Sequence, residues 1–253
     1  MFESDLSKSN FCQPIQSFFK FFRSFLIANW RSLLLLLIGV YLPLQVFEMM
    51  AVKVWQNEGG FSWDVPILLA IHQTVQPQLD VLAVILAKIG SPKTLVPILL
   101  IIALALILKK RWRLSAYLLT TGIGSAIINY AAKVFMHRAR PHLWESTHHK
   151  LSFAFPSGHA MASMTFVTIL IVLSWGTRWR LPVLIFGSLF VPTIAWTRLY
   201  LGVHFPSDIL AGWLVSLAWT VGVYLLIRPH WSATNLVNNL VNEENNTTNT
   251  NSL

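Results

Sequence analysis

The feature that most constrains this chain is a series of apolar stretches, most of them near the roughly 20 residues that a helix needs to cross a bilayer. Hydrophobic residues make up 55% of the 253 positions and charged residues only 11%, against about 25% charged in soluble domains. A soluble fold could not bury so much apolar surface. The sequence therefore predicts an all-α, polytopic membrane protein with six transmembrane helices, and it excludes a soluble enzyme and a disordered chain. The predicted spans are Leu33–Val52, Leu95–Leu108, Leu114–Ala132, Ala160–Trp175, Leu181–Trp196 and Ile209–Ile227.

Two segments before the third span need separate treatment. The stretch Leu95–Leu108 is short for a crossing, so we expect it to borrow length from the amphipathic segment Leu79–Ile89. The stretch Pro66–Ile71 is too short to cross and predicts an interfacial or re-entrant helix.

The flanks differ from the apolar body. Residues 1–31 contain the aromatic and basic run Phe18–Arg23 and predict an amphipathic lead-in at the membrane surface. Residues 32–230 form the predicted six-helix domain. Residues 231–253 are rich in Asn and Thr and predict a disordered polar tail.

Basic residues give the predicted orientation. The net charge is +9, but the cations lie between apolar runs, which favours lipid headgroups and anionic substrates as partners over nucleic acid. With six crossings, four basic clusters fall on one side, which the positive-inside rule assigns to the cytoplasm together with both termini. We expect a bacterial inner membrane. The clusters are Lys8 to Arg31, Lys109–Arg113, Arg178 with Arg180, and Arg228.

Polar residues concentrate in two connections on the opposite side, Lys133–His159 and Arg198–Asp208. Positive charge there contradicts the orientation rule, and ionisable groups near membrane depth are costly. We therefore expect a functional site at the non-cytoplasmic face.

The cations of these connections predict an anion site. Lys133 and Arg140 are seven residues apart and can converge, and Arg198 follows the fifth span. Ser157 and Gly158 precede the fourth span, where free N–H groups at a helix start bind anions.

The remaining polar residues predict phosphoryl transfer. Asp208 lies in the first turn after Pro206 and can reach back to His204, which fixes the imidazole tautomer and leaves the other nitrogen as a nucleophile. Attack on phosphorus by His204 would give a phosphohistidine, with His159 as the general acid and then the general base. Three fixed cations can replace a divalent metal, so we expect no metal and no cofactor.

These residues resemble the signature of the type 2 phosphatidic acid phosphatase superfamily, Lys-x6-Arg-Pro, Pro-Ser-Gly-His and Ser-Arg-x5-His-x3-Asp. One position departs from it, since Thr197 stands where the family has Ser. The resemblance implies the following roles: phosphate binding by Lys133, Arg140, Ser157, Gly158 and Arg198, nucleophilic attack by His204, orientation by Asp208 and acid catalysis by His159.

The sequence thus predicts a metal-independent membrane phosphatase that acts on a lipid phosphate or diphosphate of the phosphatidic acid, phosphatidylglycerol phosphate or isoprenyl diphosphate type. Two alternatives are a transporter that uses the cations only to bind anions, and a haloperoxidase with vanadate in the same site. The oriented imidazole argues against the first alternative and the apolar spans against the second. Arg138 lies inside the first motif without being fixed by it, and we expect it to add to the positive field. Outside the motifs, we expect Asp64 and Asp80 to be solvated, with substrate gating as the alternative.

Overall fold

A computed structural model describes residues 9–56, 60–144 and 152–230. The predicted polar tail, residues 1–8 of the lead-in and most of the connection after residue 144 lie outside these ranges. Within them the regular structure is entirely helical, which confirms the all-α prediction. The helices are α1 (Ser9–Leu36), α2 (Leu42–Gln56), α3 (Asp64–His72), α4 (Pro77–Ile89), α5 (Pro92–Leu108), α6 (Trp112–Met136), α7 (Gly158–Ser174), α8 (Arg180–Tyr200) and α9 (Pro206–Ile227).

The first two helices form one continuous rod. A π-helical turn, Leu37–Tyr41, joins α1 to α2 without a break in the helical backbone. Gly39 lies in this turn, where a Cβ atom would come within 2.7 Å of Val221 Cγ1 on α9. The π turn therefore coincides with a close contact between the rod and the bundle.

Five segments of the described chain are long and apolar enough to cross a membrane. The second of them combines α4 and α5, consistent with the borrowed length that the sequence predicts. Helix α7, which corresponds to the predicted fourth span, is apolar but has only 17 residues. A total of six crossings therefore stays a prediction. The five segments are Ser17–Gln56, Pro77–Leu108, Trp112–Met136, Arg180–Tyr200 and Pro206–Ile227.

Helix α7 lies at the centre of the bundle, in contact with α5, α6, α8 and α9. Its inward side chains, among them Phe166 and Ile169, join Tyr117 and Leu118 of α6 in the largest apolar core. Large apolar side chains such as Ile101 of α5 cover the outer surface, as a lipid-facing surface requires.

One end of the bundle collects the predicted polar residues. Helices α6 and α8 end there, and α7 and α9 begin there. The Ser157 N–H donates to the carbonyl of Asp208 at 3.0 Å and ties the start of α7 to the first turn of α9. At Gly212, a Cβ would lie 3.1 Å from the Ser157 carbonyl oxygen, so the missing side chain allows this close approach.

Candidate active site

His204 and Asp208 form a buried pair at the start of α9. Nδ1 of His204 lies 3.3 Å from Oδ2 of Asp208, and both side chains are buried. The same Oδ2 accepts the N–H of Phe205 at 2.9 Å, which holds the carboxylate over the helix start. The four-residue spacing therefore places a carboxylate against the imidazole, as the sequence predicts.

The other ring nitrogen faces a cation. Nη1 of Arg140 lies 3.1 Å from Nε2 of His204. Because a guanidinium only donates hydrogen bonds, this contact suits a neutral ring that accepts at Nε2 and carries its proton on Nδ1, facing Asp208. The lone pair of Nε2 is thus directed at a cation-lined space, which is the arrangement that a nucleophilic imidazole needs.

Lys133 and Arg140 converge through a shared backbone group. The carbonyl of Phe153 accepts from Nζ of Lys133 and from Nη2 of Arg140, the latter at 3.4 Å. Further bonds from Arg140 to the carbonyls of Ser152 and Val203, both at 2.6 Å, fix the plane of the guanidinium. Burial lowers the pKa of Arg140 from its usual value, and the charge of Asp208 partly opposes this effect.

Arg198 carries the third cation, near the end of α8, and it is buried. Its Nε donates to Oγ1 of Thr197 at 3.1 Å, so the residue that departs from the family signature still supplies a hydroxyl. Its Nη1 lies 3.5 Å from Nε2 of His159, and its Nη2 is buried with no hydrogen-bond partner among the described residues. A buried donor without a partner costs free energy, which a phosphoryl oxygen would recover.

Ser157 and Gly158 form the start of α7. Ser157 occupies the N-cap position, but its hydroxyl makes no capping bond and is buried with no partner in the described part of the chain. A Cβ on Gly158 would lie 3.2 Å from Oδ1 of Asn129, so the glycine leaves room at the helix start. The hydroxyl and the first N–H groups of α7 thus offer donors to an anion.

One expectation about a charged residue is wrong. Asp64, expected in solvent, is fully buried, and it accepts from Nη2 of Arg138 at 2.8 Å. Arg138, expected to add to the positive field, also donates from Nη1 to Oδ1 of Asp208. Its guanidinium is therefore a hydrogen-bond partner of the carboxylate that faces His204. Asp80 is exposed, as expected.

The sequence argument also missed Ser207 and Asn129. Ser207 links Asp64 to Arg138 through its hydroxyl, and Asn129 donates to the carbonyl of Pro156 at 3.3 Å. Both residue types carried a signal in the sequence. Burying an amide in a membrane span, or a carboxylate beside an apolar helix, costs free energy unless the group has a hydrogen-bond partner.

The side chains that converge at this site differ from those that usually hold a metal ion. In residues 9–56, 60–144 and 152–230, no three His, Cys, Asp or Glu side chains are grouped as metal ligands. The convergent groups are instead cations and neutral donors, whose chemistry suits an anionic ligand.

Comparison with known proteins gives a consistent assignment. The sequence model of the PAP2 superfamily matches residues 94–232, more than half of the chain. An undecaprenyl-diphosphatase of Sulfolobus acidocaldarius is 27% identical over 185 residues, which are 71% of this chain and 84% of that protein. Phosphatidylglycerophosphatase B of Bacillus subtilis is 28% identical over 148 residues, 56% of this chain and 72% of that protein.

The fold is also similar to a solved structure. The crystal structure of a transmembrane PAP2-type phosphatidylglycerolphosphate phosphatase from Bacillus subtilis superimposes with a TM-score of 0.66 at 26% identity. The superposition covers 75% of this chain and 96% of that one.

Proposed function

This chain belongs to the PAP2 superfamily and is a lipid phosphate hydrolase, and from this premise we propose that it works through a phosphohistidine on His204 without a metal ion. The observation that carries the proposal is the orientation of His204, whose Nδ1 faces Asp208 while Nε2 faces Arg140. A site that only bound anions would need the cations but not an oriented neutral imidazole.

Binding of the phosphoryl group uses the convergent donors. Lys133, Arg140 and Arg198 neutralise the phosphoryl oxygens, and the buried hydroxyl of Ser157 and the buried Nη2 of Arg198 gain the partner that they lack. Because negative charge spreads over these oxygens in the transition state, fixed donors around them lower the barrier.

The reaction proceeds in two steps. Nε2 of His204 attacks phosphorus and forms the P–N bond, while the P–O bond to the leaving group breaks and its electron pair goes to the leaving oxygen. His159 gives that oxygen a proton. A water molecule then attacks the phosphohistidine and gives a proton to His159, and the P–N bond breaks to release phosphate and restore neutral His204.

A lipid substrate is supported by an apolar groove that reaches the phosphate site. The groove has a volume of about 360 Å³ and is lined by α5, α6 and α7. Gly158 and Asn129 line one end of it, beside Ser157, and Leu99, Leu118 and Leu119 line it deeper in the bundle. A substrate with its phosphate on the cations could lay an apolar tail along this groove.

The charge pattern supports an orientation. If the four basic clusters face the cytoplasm, both termini lie there and the start of α7 lies at the outer face. We propose a bacterial inner membrane, with the substrate entering from the outer leaflet.

The test is phosphate release by the purified protein from phosphatidic acid, phosphatidylglycerol phosphate and undecaprenyl diphosphate, each with and without EDTA. We expect release from at least one lipid and unchanged rates in EDTA, because cations rather than a metal neutralise the phosphoryl group. Loss of turnover in EDTA would refute metal independence, and binding of the lipids without release would favour a transporter.

Formation of the covalent intermediate is tested separately. Wild-type protein mixed briefly with substrate labelled in its phosphate and quenched in alkali should retain label in an acid-labile bond. The absence of label in protein that turns over normally would refute the phosphohistidine.

A further inference from the structure

Arg138 lies between two buried carboxylates, those of Asp64 and Asp208. Nη1 donates to Oδ1 of Asp208 and, at 2.8 Å, to the hydroxyl of Ser207. Nη2 donates to Oδ2 of Asp64 at 2.8 Å, and the guanidinium lies over the ring of Phe205 at 4.5 Å. Its side chain is only 2% exposed, so this ion pair is shielded from solvent.

Asp64 is held as firmly as its partner. It opens α3, its two oxygens accept the N–H and the hydroxyl of Ser207, and Oδ2 also accepts the N–H of Phe61 at 3.1 Å. Gly60, with φ +81°, leaves the space in which a Cβ would collide with the guanidinium of Arg138. Helix α3 is therefore attached to the first turn of α9 through hydrogen bonds from Asp64 to Ser207 and, by way of Arg138, to Asp208.

The two oxygens of Asp208 have different partners. Oδ1 takes Arg138, whereas Oδ2 takes Nδ1 of His204 and the N–H of Phe205. Anchoring Oδ1 thus fixes the rotation of the carboxylate that presents Oδ2 to the imidazole. The positive charge of Arg138, if it were unopposed, would also weaken the attraction between Asp208 and the Nδ1 proton of His204. The negative charge of Asp64 offsets it.

We propose that Asp64 and Arg138 are positioning residues for the His204–Asp208 pair: Arg138 orients Asp208, and Asp64 balances the charge of Arg138 so that Asp208 keeps His204 basic. The proposal rests on the phosphatase function above. It makes α3, outside the family signature, part of the catalytic apparatus.

The sign of the pH effect follows from the charges around the pair. Arg138 of the connection after α6 contacts Asp208, and Asp64 of α3 lies behind it. On the pocket side are Lys133 of α6 and Arg140, with Arg198 of α8 and His159 of α7 farther along the pocket. Removing the negative charge of Asp64 leaves the cations in excess, so protonated His204 loses stability and neutral His204 persists to lower pH.

The experiment measures kcat and kcat/KM against pH for Asp64→Asn with a short-chain phosphatidic acid. We expect the acidic limb of kcat/KM to move down by about half a pH unit, and kcat to fall by up to about threefold, because an imidazole of lower pKa is a weaker nucleophile. Ionisation of the substrate is common to both proteins and does not affect the difference. Inhibition by inorganic phosphate should be unchanged, because the phosphate-binding cations are untouched.

Asp80→Asn is the matched control. Asp80 lies in the first turn of the neighbouring helix α4 and accepts from the hydroxyl of Tyr200 at 2.9 Å. The same change there should leave kcat and the acidic limb as in the wild type.

A normal acidic limb in Asp64→Asn, with either normal or reduced kcat, would overturn the proposal, because a merely structural role alters the amount of folded enzyme and not its titration. Arg138→Lys provides a second test should the first variant not fold. A lysine keeps the charge but cannot hold two carboxylates in a fork, so we expect reduced kcat with an unshifted limb. Normal kcat in that variant would also refute the proposal. A wild-type protein without phosphatase activity would instead refute the proposed function itself.

Discussion

The pocket around His204 and the groove on α5, α6 and α7 meet at the start of α7, but they are built in opposite ways. In the pocket, each cation is fixed by specific polar partners, such as the three backbone carbonyls that hold Arg140. In the groove, the hydroxyls of Ser125 and Thr165 bond each other at 2.9 Å, and apolar side chains and two glycines make the shape.

We infer from this difference that the pocket determines the reaction and the groove determines which lipid tail is accepted. Hydrogen bonds and charges are directional, so the pocket demands particular residue types at particular spacings. Packing against a tail is not directional, so many apolar residues can line a groove of the same shape. We therefore expect changes in the pocket to affect every substrate equally and changes in the groove to act only on long tails.

The largest effect is predicted for His204→Ala. Loss of the proposed nucleophile should lower kcat by about 10³-fold or more for dioleoyl and dibutyryl phosphatidic acid alike, measured as steady-state phosphate release. His230→Ala is the control, because His230 bonds the carbonyl of Val172 at the other end of α7 and should turn over normally. Near-wild-type kcat in the His204 variant would mean that another group attacks phosphorus.

The pocket could be predicted because its chemistry is encoded by spacing. Four residues on a helical first turn bring Asp208 back to His204, and seven residues carry the chain from Lys133 to Arg140. Neither distance depends on the packing of remote helices. The sequence also predicted the helices themselves, because an apolar run of this length in a membrane has few alternatives to a helix.

The buried contacts of Asp64 could not be predicted, because no short spacing in the sequence encodes them. Its partners Arg138 and Ser207 are more than seventy residues away along the chain, and only the folding of α3 onto α9 brings them together. The rotation of α7 about its axis, which leaves Gly158 beside Asn129, likewise depends on how the helices pack. Apolar residues on three helices give no sequence pattern that says which of them will line a groove.

An intermediate effect is predicted for Thr197, whose hydroxyl accepts a hydrogen bond from Arg198. Thr197→Val removes the acceptor of Arg198 Nε and leaves a buried charged donor unpaired, which costs about 2 kcal/mol, or roughly 30-fold in kcat/KM. Thr197→Ser keeps the hydroxyl and restores the family signature, so it should retain wild-type activity. Normal activity in Thr197→Val would refute the role of the hydrogen bond, and a loss in Thr197→Ser alone would show that the methyl group matters instead.

The smallest effect is predicted in the groove, where Gly122→Leu would fill the space that Leu99 borders at 3.8 Å. A displaced tail stays in lipid or detergent, so the loss is one of packing contacts rather than of transfer from water. Several lost contacts amount to about 1 kcal/mol, or roughly fivefold in KM for dioleoyl phosphatidic acid.

The comparison of tail lengths decides whether the groove is used. Gly122 lies about 10 Å along α6 from Asn129, at 1.5 Å per residue, so a dibutyryl substrate should not reach it and its KM should not change. Gly222→Leu places the same side chain on α9, at a glycine with nothing within 4 Å, and should leave both substrates unaffected. If Gly122→Leu raised KM equally for both tails, the substitution would be acting on the pocket, and the division between chemistry and shape at the start of α7 would fail.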